Sequence, residues 1–267
     1  MNSPQPVSLL DPWVYTPLMM ILMLFIFIVL TGNNTPYFMA LNGLSHHTGD
    51  ALWAHLTVLG DTLVAMTVLL AFAGRKPAVL WAGLLAALLA GAWSQGLKNG
   101  FDVSRPPAVL PLEMLHIIGP ALRQHSFPSG HTTTIFALAA VLCLQFRSIG
   151  WRGFFILIAV LAGISRAVVG VHWPLDILAG AFGGWLSGVM GSALATMFPW
   201  GTSKHGEKIL AVLFMGGGLY LALRSDPVYP QTQVFQIAFA LLCMGLGGWG
   251  LWTQRNERRT TVASPDT

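Results

Sequence analysis

Lys98, Arg105, His131, Arg166, His172 and Asp176 are the residues of this sequence whose types and spacing can do chemistry, and that chemistry is the handling of a phosphate. They fall in three segments, 98–106 (KNGFDVSRP), 128–131 (PSGH) and 165–176 (SRAVVGVHWPLD), each beside a long apolar run. Lys98, Arg105 and Arg166 bring positive charge for phosphate oxygens and for the charge that develops in phosphoryl transfer, which arginine can meet bidentately. His131 follows a Pro-Ser-Gly turn at the start of an apolar run. Free backbone N–H groups and the dipole of a helix starting there favour an anion. Ser129 and the Gly130 N–H complete the cradle, and His131 is placed to protonate a leaving oxygen. His172 and Asp176 lie four apart across Pro174, which puts both on one face of a helix's first turn. The carboxylate can hold one imidazole nitrogen and leave the other to act as a nucleophile.

Each segment alone has a plainer reading. Lys98 and Arg105 can be interfacial anchors whose stems lie along lipid. Pro-Ser-Gly-His is an ordinary helix start, and His172 with Asp176 can be a structural hydrogen-bonded pair. Arg166 is harder to dismiss, because an arginine near the end of an apolar span is rare and marks function by default. All of them in order, on one face, favour the phosphate site.

The elements that carry these residues are membrane helices. Hydrophobic residues make up 54% of the 267 and charged residues 9%, against about 25% charged in an average soluble domain. Eight apolar runs follow, near 13–31, 56–73, 78–97, 131–146, 151–170, 175–198, 207–223 and 233–252, and a span takes about 20 residues. The fold class is all-α, a polytopic bundle in one domain over 1–254, with 255–267 as a polar, disordered cytoplasmic tail. No Lys or Arg precedes Arg75, so the first run lacks the basic flank of a cleaved signal and reads as a retained helix. The stretch from Thr31 to His55 mixes polar and aromatic residues and suits a short helix lying on the membrane.

Charge orients the bundle. On an eight-span path, Arg75, Lys76, Arg147, Arg152, Lys204, Lys208, Arg255, Arg258 and Arg259 fall on one side; Lys98, Arg105, Arg123, Arg166 and Arg224 fall on the other. The positive-inside rule puts the first side, with both termini, in the cytoplasm and the three segments on the outer face. The basic residues are scattered through short loops rather than gathered in a stripe, which excludes a nucleic-acid partner. Nothing in the sequence fixes an oligomeric state.

The pattern Lys-x6-Arg-Pro at 98–106, Pro-Ser-Gly-His at 128–131 and Ser-Arg-x5-His-x3-Asp at 165–176 resembles the three signature motifs of the type 2 phosphatidic acid phosphatase superfamily, which also holds vanadium haloperoxidases and bacterial acid phosphatases. Every signature position is filled. The resemblance implies a six-helix core followed here by two further helices, and a metal-independent phosphatase with no cofactor that works through a phosphohistidine. It assigns His172 as nucleophile, Asp176 as its orienting partner and His131 as general acid. It makes Lys98, Arg105, Ser129, Gly130 and Arg166 phosphate ligands. The expected substrate is a lipid phosphate or pyrophosphate, such as polyprenyl pyrophosphate or lipid A phosphate, met at the outer face of a bacterial inner membrane. Transfer of the phosphoryl group to another lipid, and transport of an anionic lipid or phosphate, are the alternatives.

Weaker features remain. His46, His47, Asp50, His55 and Asp61 lie close in sequence but match no metal-ligand spacing, so no metal is assigned. Arg123 and His125, with His116 nearby, precede Pro128 and are candidates for headgroup contact. Gly180, Gly184, Gly188 and Ser192 continue the four-residue ladder below His172 and Asp176, a stripe on which a neighbouring helix can close. Cys143 and Cys243 sit in apolar runs as small hydrophobes.

Overall fold

A computed structural model describes residue 8, residues 11–224 and residues 228–263. Its helices are α1 (Pro12–Thr31), α2 (Asn34–Asn42), α3 (Ser45–Thr48), α4 (Asp50–Val58), α5 (Thr62–Leu70), α6 (Pro77–Gly100), α7 (Pro106–Val109), α8 (Gly130–Gln145), α9 (Ile149–Val168), α10 (Pro174–Met197), α11 (Lys204–Leu223) and α12 (Gln233–Ala263). No strand occurs among the described residues. The chain is a multi-pass membrane protein. Among the described residues six helices are long and apolar enough to cross a bilayer, α4 and α5 pass that test only together as a bent pair, and α8 is a shorter apolar helix.

α1 shows how the bilayer is met. Asp11 caps it, accepting from the Trp13 N–H at 3.0 Å, and its 20 residues rise about 30 Å, the thickness of the hydrocarbon layer. Only Val14, Ile21 and Ile28 are buried in it, one residue in seven. That spacing is a single stripe laid on the bundle, and Met19, Met23, Leu24, Phe27 and Leu30 stay exposed to lipid.

α10 is the axis of the bundle, and its glycines set how closely its neighbours approach. A Cβ on Gly180 would lie 2.6 Å from the Ser129 carbonyl oxygen, and one on Gly184 2.3 Å from that of Thr133. The ladder expected from sequence therefore packs α10 against α8. Gly183 and Gly191 do the same toward α6, where a Cβ would meet Trp93 Nε1 at 2.1 Å and the Ala86 backbone at 2.5 Å. With small residues on both flanks, α10, which bears Asp176 in its first turn, is held between the helices that bear Lys98 and His131.

The run near 56–73 is not one straight span. α4 and α5 meet at 63°. Asp61 ends the first helix by capping the second, its side chain accepting from the Leu63 N–H at 2.8 Å. Gly60 lies in the corner, where a Cβ would sit 2.9 Å from His131 Cβ. The polar stretch expected as one interfacial helix is three pieces, α2, α3 and the start of α4. At the opposite end of the bundle, Glu207 ties α11 to the α5–α6 turn by accepting from the Gly74 N–H at 2.8 Å. Gln254 donates to the same carboxylate at 3.1 Å. Past it, α12 continues through Ala263, so 255–263 is helical where a disordered tail was expected; 264–267 lie outside the described residues.

Candidate active site

The chain reverses sharply between α9 and α10, and the reversal builds the environment of His172. Gly170 takes φ +84°, and the N–H groups of Val171 and His172 both donate to the Arg166 carbonyl at 3.2 Å. Trp173 then starts α10, and its N–H donates to Asp176 Oδ2 at 2.8 Å. The same oxygen accepts from Ser126 Oγ at 2.5 Å and faces His172 Nδ1 at 3.3 Å. Fixed by two other donors, Asp176 orients the imidazole through Nδ1.

Arg105 meets the other nitrogen. Its Nη1 donates to His172 Nε2 at 3.2 Å, which assigns the ring proton to Nδ1 and the lone pair to Nε2. The guanidinium is anchored by carbonyls of Gln124 at 2.7 Å, Val171 at 3.2 Å and His125 at 3.3 Å. The loop that supplies Gln124 and His125 runs back along the 103–105 segment, with Arg105 N–H donating to Arg123 O and Ser126 N–H to Val103 O, both at 2.9 Å. Trp173 Nε1 pins this loop to the reversal by donating to the Ser104 carbonyl at 2.9 Å.

Electrostatics follow from that geometry. Burial, then the charges of Arg105, Arg166 and Lys98, hold His172 well below the ordinary histidine value, so the ring is neutral at physiological pH. Burial and then Arg166 bring Arg105 down to about 10, which leaves it a cation.

Arg166 occupies the last turn of α9, buried, with Nη1 donating to Thr57 Oγ1 and to Tyr229 Oη, the latter at 3.3 Å. Its Nε has no partner among the described residues. Lys98 ends α6 beside the start of α8: a Cβ on Gly130 would lie 3.8 Å from Lys98 Nζ and 3.2 Å from Ser94 Oγ. Ser129 is the N-cap of α8. Its oxygen accepts from Thr132 Oγ1 at 2.9 Å and from the Thr132 N–H at 3.4 Å, which leaves its hydroxyl proton to give. His131 stands in the first turn of α8 against Gly60. Lys98, Arg105, Ser129, Gly130, His131, Arg166, His172 and Asp176 thus converge from four helices and the connections before α7, α8 and α10.

Other candidates lie elsewhere. Arg123 and His125 are exposed and offer the site their carbonyls, not their side chains. His116 Nε2 pairs with Asp50 at 2.8 Å and packs on the His46 ring at 4.8 Å. His55 Nδ1 faces the Ala51 carbonyl at 2.7 Å. Among the described residues no three His, Cys, Asp or Glu side chains gather as metal ligands.

Sequence reasoning missed Ser126, Thr57, Tyr229 and Asn42. Asn42 donates to the carbonyls of His116 at 2.7 Å and Val168 at 2.9 Å and accepts from the His116 N–H at 2.9 Å, which ties α2, the loop and the end of α9 together. Ser126 sits two residues before Pro128, and that proximity is the one signal that pointed to it.

Two hollows flank α6 below the site. One, of about 270 Å³, runs from Lys98, His131, Thr62 and Thr134 down past Ala87, Ala86 and Gly83 to Leu69 and Leu138, between α5, α6 and α8. The other, of about 280 Å³, is wholly apolar and lies between α1, α6 and α10 under Phe127 and Leu97.

A buried cluster of cations around an oriented histidine, set at helix ends of a membrane bundle, defines a membrane phosphatase. The chain belongs to the PAP2 superfamily, whose sequence profile matches residues 79–200. It is 34% identical over 155 residues to a lipid A 1-phosphatase of Rhizobium etli, covering 49% of this chain and 66% of that one. It is 30% identical over 151 residues to the undecaprenyl-diphosphatase BcrC of Bacillus subtilis, covering 54% and 75%. The crystal structure of Aquifex aeolicus LpxE superposes with a TM-score of 0.55 at 30% identity, over 59% of this chain and 93% of that one.

Proposed function

We propose that this protein removes phosphate from a lipid phosphate or pyrophosphate at the outer face of the membrane, with a phosphohistidine as intermediate. His172 Nε2 attacks phosphorus as the bond to the leaving oxygen breaks, that of the lipid alcohol or of the inner phosphate, and His131, protonated against the charge of the bound phosphate, gives that oxygen its proton. The imidazole that forms the N–P bond is stabilised as a cation by Asp176. Water then attacks the phosphohistidine, His131 takes the water's proton, and phosphate leaves while neutral His172 returns. Lys98, Arg105 and Arg166, with Ser129 and the Gly130 N–H, stabilise the equatorial oxygens.

The observation that carries this reading is the imidazole held by Asp176 through Nδ1 with Nε2 against the buried Arg105 guanidinium. The hollows beside α6 support a lipid substrate, since a hydrocarbon chain can lie in either while its headgroup meets the helix ends. The bent α4–α5 span is what a transporter would use, but Asp61 caps a helix and Thr57 serves Arg166, so its polar groups belong to the site.

Phosphate release by purified protein in detergent with EDTA, measured on polyprenyl pyrophosphate, lipid A phosphate, phosphatidate and phosphatidylglycerol phosphate, tests the activity and names the substrate. Release that stops in EDTA and returns with a divalent ion contradicts it. Sidedness is tested in a Cys143- and Cys243-free background. Cysteines at Val103 and Ala121 should react with an impermeant thiol reagent in intact cells, and one at Ser148 only after permeabilisation. The reverse pattern would place the site in the cytoplasm.

A further inference from the structure

We propose that Tyr229, carried by the connection between α11 and α12, is a positioning residue for Arg166, so that the two helices beyond the matched region 79–200 take part in building the phosphate site. The proposal rests on the phosphatase reading above. Arg166 is 3% exposed. One terminal nitrogen is held from behind by Tyr229 Oη and Thr57 Oγ1, while Nε keeps its hydrogen unshared among the described residues. A guanidinium is a rigid plane of five donors, so fixing one corner sets where the other edge points. Tyr229 adds no charge of its own, and its contribution is therefore one of aim.

The tyrosine is itself fixed. It is 4% exposed, and its carbonyl accepts from Thr232 Oγ1 at 2.7 Å and the Thr232 N–H at 2.9 Å. Gly119, at φ +88°, brings the loop over the site onto its ring, where a Cβ would come within 2.8 Å of Tyr229 Cε1. Thr232 Oγ1 accepts from Gln236 Nε2 at 2.8 Å, and Gln236 Oε1 from Arg224 Nη2 at 3.1 Å. Arg224 then faces Asp61 at 3.9 Å, the residue that opens α5 next to Gly60 and His131. One chain of contacts joins the arginine on the phosphate to the corner behind the acid.

Tyr229→Phe keeps the ring against Gly119 and removes only the hydroxyl. Lost aim should lower kcat/KM by about 10- to 100-fold and weaken inhibition by orthovanadate by a similar factor, with the melting midpoint unchanged. In an Arg166→Lys background the same change should alter vanadate inhibition by less than about twofold, because the two residues act as a unit. Tyr220→Phe, exposed on α11, should match wild type. Wild-type kcat/KM and vanadate inhibition in Tyr229→Phe, or equal losses in both backgrounds, would overturn the proposal. If Tyr229→Phe is not recovered folded, Tyr229→His, which keeps a polar atom on the ring, should hold vanadate better than Tyr229→Leu, and equal values would overturn it. Failure of the parent reading looks different: the wild-type protein would release no phosphate.

Discussion

Arg105 Nη1 donates to His172 Nε2 across 3.2 Å, so the guanidinium proposed to bind phosphate faces the lone pair proposed to attack. A phosphate oxygen, being charged, is the better acceptor for that guanidinium. On the proposed mechanism a bound phosphate draws Arg105 away from the imidazole and frees Nε2. Burial, and after it the charge of the same cation, keeps His172 neutral. Its folded value lies below the ordinary 6.5, so the neutral, nucleophilic form persists as pH falls through 6.5 and is lost only lower. Arg105→Gln removes one of the charges that lower it. The acid limb of the kcat profile should move toward higher pH, and kcat/KM should fall about 100-fold or more. A limb that stays in place would detach Arg105 from the imidazole.

Asp176 and Ser126 form a graded series. Asp176→Asn loses the acceptor that fixes the tautomer and should cost about 100-fold in kcat or more. Ser126→Ala removes one of the other donors that hold the carboxylate and should cost about 10-fold, the low end of what one hydrogen bond to a charged group is worth. If Ser126→Ala matched wild type, the short Ser126–Asp176 contact would be a packing feature alone.

His131→Ala should hurt lipid substrates more than an activated aryl phosphate, since a general acid matters most where the leaving oxygen needs a proton. A difference of about 100-fold between the two losses is expected from the usual size of acid catalysis. Equal losses would assign His131 to phosphate binding only.

The hollows beside α6 separate chain binding from chemistry. Ala87→Phe fills the one that starts at His131 and Lys98; Ala179→Phe fills the one under Phe127. Each should raise KM for a lipid while leaving an aryl phosphate unaffected. A substrate with one hydrocarbon chain should respond to one change, and a substrate with several chains to both. Lipid turnover indifferent to both variants would place the chain outside the two hollows.

The charged and histidine residues of the site were legible because an apolar chain makes each polar residue conspicuous. Lys98, Arg105, His131, Arg166, His172 and Asp176 stood out by type, and the number and direction of the spans brought them to one face. Ser126, Thr57 and Tyr229 carried no such signal. They are neutral, common at helix ends and loops, and reach their partners from 50, 109 and 63 residues away. The corner between α4 and α5 was hidden for a related reason. Hydropathy reads 56–73 as continuous, whereas the break depends on Asp61 capping forward and on Gly60 leaving room for His131. The close packing of α10 was foreseeable on its α8 side from a four-residue ladder; toward α6 it uses Gly183 and Gly191, eight apart, with Ser187 between them.

The phosphohistidine is the most direct point of attack. His131→Ala should slow both halves of the reaction, so substrate labelled in its terminal phosphate, mixed with this variant and quenched within a turnover, should leave label on the protein. That label should be stable to base, labile to acid and mapped by peptide analysis to His172, with none retained in His172→Ala. Labelled phosphate released with no protein-bound species at any quench time, or a well-folded His172→Ala protein that still turns over at the normal rate, would contradict nucleophilic attack by His172.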